Sequence, residues 1–122
     1  MRRPNENKMK VLVTGGRGFK DAELLRTTLA RLDSQVQFTE LIHGGAQGAD
    51  VLAQEWALEQ EIPVKMFLAD WEKYGKAAGP IRNQQMLTEG EPDLVVAFPG
   101  GSGTANMVSR AQQAEVPVVE IA

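Results

Sequence analysis

One pattern, repeated three times, constrains this chain more than any other feature. An apolar run stops at a cluster of glycines, and sequence suited to a helix resumes at once. The clearest case is DLVVAFPGGSGT, residues 93–104, where the run ends in Pro99, Gly100, Gly101, Ser102, Gly103 and Thr104. The second is KVLVT (10–14) before Gly15, Gly16, Arg17 and Gly18, and the third is TELIH (39–43) before Gly44, Gly45, Ala46, Gln47 and Gly48. A strand that feeds a glycine turn, with a helix opening behind it, suits an anion. The first N–H groups of a helix lack intrahelical partners, and the helix dipole is positive there. Glycines let a phosphate come close to the backbone with no Cβ in the way. Thr104 is placed to cap the last of these helices or to donate its hydroxyl to a ligand.

Taken in order, the remaining segments alternate in type. Asp21 is a candidate N-cap for a helix through about Leu32, with Leu24, Leu25, Thr28, Leu29 and Leu32 on one face. Ala49, Leu52, Ala53, Trp56 and Ala57 fall at helical spacing and put Trp56 in the core. Residues 63–68 (PVKMFL) read as a third strand, and 69–79 as an irregular loop that contains Asp70 and Trp71. Pro80 suits the first position of a helix and Gly90 its terminator. A helix from about Thr104 to Ala114 and a strand over 117–121 close the chain. Strands alternating with helices imply right-handed βαβ units and a parallel sheet. The near-continuous apolar strands fit a sheet covered on both faces. We therefore expect an α/β, Rossmann-like, doubly wound parallel sheet of five strands in the order 3-2-1-4-5. All three glycine turns then lie at its carboxyl edge, and the turns at Gly15 and Gly100 flank the switch point between strands 1 and 4.

The chain has 122 residues, enough for one domain with a real core. Residues 1–9 read as a flexible tail and 10–122 as the domain. The tail has no apolar segment behind its arginines, so it is not expected to be a secretory signal. No apolar run approaches the roughly 20 residues needed to cross a bilayer, so no membrane partner is expected. There is no cysteine, which fits a reducing compartment and a cytoplasmic location and removes thiolate metal sites. The lone His43 has no histidine or cysteine partner, so no metal site is expected. The net charge of −3 weighs against a nucleic-acid backbone as main partner.

Two familiar phosphate-binding signatures are missing. No Gly-Lys-Ser/Thr tripeptide occurs, and Gly16-Arg17-Gly18 supplies only part of a dinucleotide fingerprint, with His43 where an acidic ribose ligand belongs. No cofactor is assigned. The candidate ligand-binding residues are Gly15, Gly16, Arg17, Gly44, Gly45, Ala46, Asp50, Arg82, Asn83 and the run from Pro99 to Thr104. Arg82 is foremost. With Pro80 first in its helix it sits in the first turn, where the dipole disfavours a cation unless an anion is bound. Arg17 is suited to bidentate phosphate pairing, and Trp71 to stacking on a base.

Four ordered motifs also resemble a known family. KVLVTGGRGF (10–19), HGGAQGAD (43–50), DWEKYGKAAGPIRN (70–83) with Met86, and FPGGSGT (98–104) resemble the YspA/YpsA-related branch of the SLOG superfamily. That superfamily includes the lonely-guy (LOG) phosphoribohydrolases and DNA-processing protein A. The resemblance implies a Rossmann-like domain, a homodimer, and binding of a nucleotide or nucleotide-derived, ADP-ribose-like ligand by a sensor or carrier. A LOG-like hydrolase that cleaves the N-glycosidic bond of a nucleoside 5′-monophosphate is the alternative. In that case Arg82 orients the ligand and Asp50 or Asp70 supplies a carboxylate. The chain departs from the LOG pattern at Met107, where the motif has a glutamate. Single-stranded DNA binding, by analogy with DNA-processing protein A, is a third reading.

Overall fold

The computed structural model of the protein describes residues 8–122. Five parallel strands form one sheet in the order β3-β2-β1-β4-β5, as the alternation of segments implies. They are β1 (Lys8–Thr14), β2 (Gln37–His43), β3 (Val64–Met66), β4 (Leu94–Ala97) and β5 (Val118–Glu120). The helices are α1 (Ala22–Gln35), α2 (Ala49–Glu59), α3 (Trp71–Tyr74), α4 (Ala78–Gly90) and α5 (Ser102–Gln113).

Alternation along the central strands sends successive side chains to opposite faces. Val11, Val13, Leu94, Val96 and Phe98 meet Leu25 and Leu29 of α1 and Ala53 and Trp56 of α2 on one face. Leu12, Ile42 and Val95 meet Met86 and Leu87 of α4 and Met107 and Ala111 of α5 on the other. The register Val11↔Leu94 through Thr14↔Ala97 brings the ends of β1 and β4 level. Their glycine turns therefore start side by side.

Several boundaries differ from the sequence reading. β1 begins at Lys8, because Lys8 and Met9 pair with Gln37 and Phe38. The strand thus takes in two residues of the expected tail, 1–9, whose residues 1–7 lie outside the described residues. α1 opens at Ala22 with Asp21 as its cap, whose carboxylate accepts the Leu24 N–H at 3.0 Å. β3 keeps only three residues of the expected 63–68 run; it is an edge strand, and Met66 and Leu68 remain exposed. The expected loop at 69–79 is largely helical. Asp70 caps α3 through the Lys73 N–H at 3.0 Å, a 3-10 turn follows at Gly75–Ala77, and α4 begins at Ala78. Pro80 is thus the third helical residue, still among the four whose N–H has no helical partner.

Gly90 does not terminate α4. It is the last helical residue and lies against Ile42, whose Cδ1 would be 3.2 Å from an added Cβ. The left-handed residue is Glu91, at φ 50°. Glu61 and Glu115 do the same after α2 and α5. There the N–H groups of Glu61 and Ile62 bond to Leu58 and Ala57, and those of Glu115 and Val116 bond to Gln112 and Ala111. These are Schellman closures. Each is followed within two residues by a proline, Pro63 or Pro117, which cannot continue a helix.

Candidate functional site

The three glycine turns converge on Gly16. Its N–H donates to Pro99 O at 2.9 Å, and its carbonyl accepts from Ala49 N, at the start of α2, at 3.4 Å. A Cβ on Gly16 would lie 2.9 Å from Gly100 Cα and 3.1 Å from Pro99 O. Gly48, at φ 84°, is pressed against the Gly16 carbonyl in the same way. These glycines exist so that one backbone can touch another. Gly101 and Gly103, by contrast, have nothing within 4 Å of where a Cβ would stand. They are the open part of the third turn.

Around this junction lies a cavity of about 580 Å³ at the carboxyl edge, over the β1–β4 switch point. Thr14, Gly15, Gly16 and Arg17 line it from β1 and its turn, and Ala46 and Asp50 from the second turn and α2. Trp71, Lys76, Gly79, Pro80, Arg82, Asn83 and Met86 come from the α3–α4 region, and Gly101 to Thr104 with Asn106 from α5. Most of the candidate ligand-binding residues thus face one space. Gly44, Gly45, Pro99, Gly100 and Asp70 do not line it. Gly44 is covered by the Arg82 guanidinium, Gly45 by Leu68 and Met66, and Gly100 by Gly16 and Thr104. Asp70 is exposed and holds its cap.

α5 opens at Ser102 behind Gly101, with no side-chain cap, and its first helical bond runs from Ala105 N to Gly101 O. The N–H groups of Ser102, Gly103 and Thr104 have no partner among the described residues. Thr104 is therefore inside the helix rather than at its cap. Arg82 approaches the same space from α4. It is the fifth residue of that helix, two residues further in than a start at Pro80 implies, because α4 starts at Ala78. Its Nη1 donates to Gly44 O at 2.6 Å and its Nε to Asn83 Oδ1 at 3.1 Å. Burial lowers the pKa of the guanidinium; Asp50 opposes that shift and Arg17 adds to it. The group nevertheless stays protonated. An anion in the cavity would relieve both the burial and the neighbouring cation.

Asn83 is held in turn. Its amide donates to Gly103 O at 3.2 Å and to Asn106 Oδ1 at 3.1 Å, and Asn106 Oδ1 also accepts from Arg110 Nε at 3.0 Å. This tie fixes α4 to the first turn of α5. Asp50 accepts the N–H groups of Gly44 at 3.0 Å and Ala46 at 3.2 Å, which shapes the second turn. Burial raises its pKa, while the Ala46 and Gly44 N–H groups and Arg82 pull it back. His43 is 1 % exposed and structural. Its Nδ1 accepts from Gly45 N at 2.9 Å, which leaves Nε2 to donate to Gln54 Oε1 at 2.6 Å. Among the described residues no group of histidine, cysteine and carboxylate side chains is arranged to hold a metal ion. Arg17 and Trp71 meet at the rim, with the guanidinium 5.7 Å from the ring centroid.

Thr14, Lys76 and Asn106 line the cavity and were not singled out from the sequence. Helical periodicity offered a signal for Asn106, which lies three and four residues after Gly103 and Ser102 and so shares their face. Lys76 lay within a segment read as loop. Met107, at the position of the LOG glutamate, is fully buried with Leu12, Ile42 and Val95 and does not line the cavity.

Comparison with known proteins agrees with this architecture. Residues 9–74 match the family described as YspA, cpYpsA-related SLOG. This chain belongs to that family. The Gene 61 protein of Mycobacterium phage D29 is similar as well, 39% identical over 118 residues that cover 90% of this chain and 94% of that protein. Membership in the SLOG family suggests binding of a nucleotide-related ligand. No helix among the described residues is long and apolar enough to cross a membrane.

Proposed function

We propose that this SLOG domain binds a nucleotide or nucleotide-derived, ADP-ribose-like ligand as a sensor or carrier. A phosphate rests on the first turn of α5, with Arg82 as its counter-charge. The observation that carries this reading is the convergence of three N–H groups with no partner among the described residues, at Ser102, Gly103 and Thr104, on the cavity lined by Arg82, Arg17 and Lys76. A helix N-terminus with free donors and a positive dipole is an anion site when cations face it. Trp71, 49% exposed at the rim, offers a face for a base. The burial of Met107 favours binding over LOG-type cleavage, because the position that holds the carboxylate in the LOG pattern lies in the core. Single-stranded DNA fits less well, since Arg17, Lys76 and Arg82 gather around one cavity rather than along a stripe. A homodimer remains part of the proposal through the family resemblance, and a monomer mass in light scattering would remove it.

The test is a thermal-shift screen followed by calorimetry with nucleoside mono-, di- and triphosphates, ADP-ribose, NAD and cyclic nucleotides. A ligand that binds only the folded state at 100 times its Kd adds about 2.7 kcal/mol of stability. At least one of these compounds should raise Tm in the protein and fail to do so in Arg82→Ala. If none shifts the protein, the phosphate site does not exist.

A further inference from the structure

A cavity built for an anion has no use for a carboxylate, yet Asp50 stands in this one. It is 5% exposed and is the second residue of α2. Both backbone N–H groups that it accepts, from Gly44 and Ala46, go to Oδ2. Oδ1 has no partner among the described residues. No side-chain oxygen or nitrogen there is both fully buried and unpaired, so Oδ1 opens onto the cavity that Asp50 lines. Arg82 does not take it: the two make neither a hydrogen bond nor an ion pair, and its Nη1 and Nε go to Gly44 and Asn83. Nor does His43, whose two nitrogens are both satisfied.

A largely buried carboxylate oxygen that lacks a partner is costly. A ligand that displaces water from this oxygen must therefore bring a donor to it. Phosphate oxygens are repelled there, which places Asp50 against the uncharged middle of the ligand. Trp71 lies at the rim with its indole open, whereas Asp50 lies deep. A base on the indole and a phosphate on α5 leave the sugar beside Asp50. We propose that Asp50 Oδ1 accepts hydrogen bonds from the vicinal hydroxyls of a ribose, so that the site takes ribonucleotides and discriminates against their deoxy forms. This rests on the nucleotide reading above. A carboxylate and a hydroxyl form a short, charge-assisted hydrogen bond. Its loss, with the carboxylate left unpaired, corresponds to about 10- to 100-fold in affinity.

The experiment is calorimetry on the full chain with the four ribonucleoside 5′-diphosphates, their 2′-deoxy and 3′-deoxy forms, and inorganic pyrophosphate. It is repeated on Asp50→Asn. Asparagine keeps an oxygen for the Gly44 and Ala46 N–H groups and turns an amide toward the ligand. We expect at least one ribonucleotide to bind about 10-fold or more tighter than its deoxy forms. The gap should collapse in Asp50→Asn, with pyrophosphate bound as well as before or more tightly. Equal binding of ribose and deoxyribose forms to the unaltered protein overturns the inference. So does a gap that survives in the variant, or one that follows the base instead of the sugar. If Asp50→Asn does not fold, the comparison within the unaltered protein decides alone. Pyrophosphate binding that depends on Arg82, with no preference for ribose, would sink this inference and leave the phosphate site standing. No binding of any diphosphate would sink both.

Discussion

Asp50 and Met107 show how one residue position is decided by what surrounds it. Burial raises the Asp50 pKa above its ordinary value. Between that ordinary value and the raised one, the folded chain holds a proton that the unfolded chain releases. The stability from this group is therefore full below the ordinary pKa and is lost as pH rises through the folded one. Asparagine does not titrate, so Asp50→Asn should gain in Tm on the unaltered protein as pH rises from about 4 to about 7. A difference independent of pH would contradict the raised pKa. Met107 makes the opposite case. Restoring the LOG glutamate there would place an unpaired charge among Leu12, Ile42 and Val95. Met107→Glu should cost about 3 kcal/mol or more in urea unfolding and release no base from a nucleoside monophosphate. The sequence named both positions but not their surroundings. A carboxylate early in a helix and a methionine on a helix face look alike whether they turn to a ligand or to the core, and only packing separates them.

The helices carry signals of unequal clarity at their two ends. Asp21 was legible as a cap because a short acceptor before an apolar face has one obvious use. The stops were not, because Glu61, Glu91 and Glu115 occupy the left-handed position that sequence reasoning assigns to glycine. Glu115→Gly should stabilise the protein by about 0.5–1 kcal/mol in denaturant unfolding, since glycine adopts that conformation without the Cβ clash. At the other end of α5, Ser102 is the first helical residue and its N–H has no partner among the described residues. Proline is favoured at that position. Ser102→Pro should therefore leave Tm nearly unchanged while lowering the affinity for pyrophosphate several-fold by removing one donor. An unchanged affinity would show that the anion does not use this turn. The segment from Asp70 to Ala77 was read as loop because its glycine and its exposed aromatic residues hide a helical turn capped by Asp70.

At the scale of the molecule, two cores lie on opposite faces of one sheet, and Gly16 joins the turns at its carboxyl edge. Gly16→Ala should lower stability by about 1–3 kcal/mol, since its Cβ would press on Gly100 and Pro99 and force backbone to move. The same substitution should remove the ligand-induced rise in Tm, because the walls of the cavity would separate. Lower stability with ligand response intact would mean that the turns act independently. The sequence by itself determined the strand order and the edge at which the turns gather. Apolar runs alternating with helices leave a parallel, right-handed sheet as the solution that covers both faces. It also determined the chemistry available there, one arginine-bearing helix facing a glycine turn. Only the tertiary structure decided which glycines face the cavity and which serve backbone contact, since that depends on what lies across from each. It alone put Asp50 in the cavity wall and Asp70 outside it, because where a carboxylate lies follows from the segments packed around it.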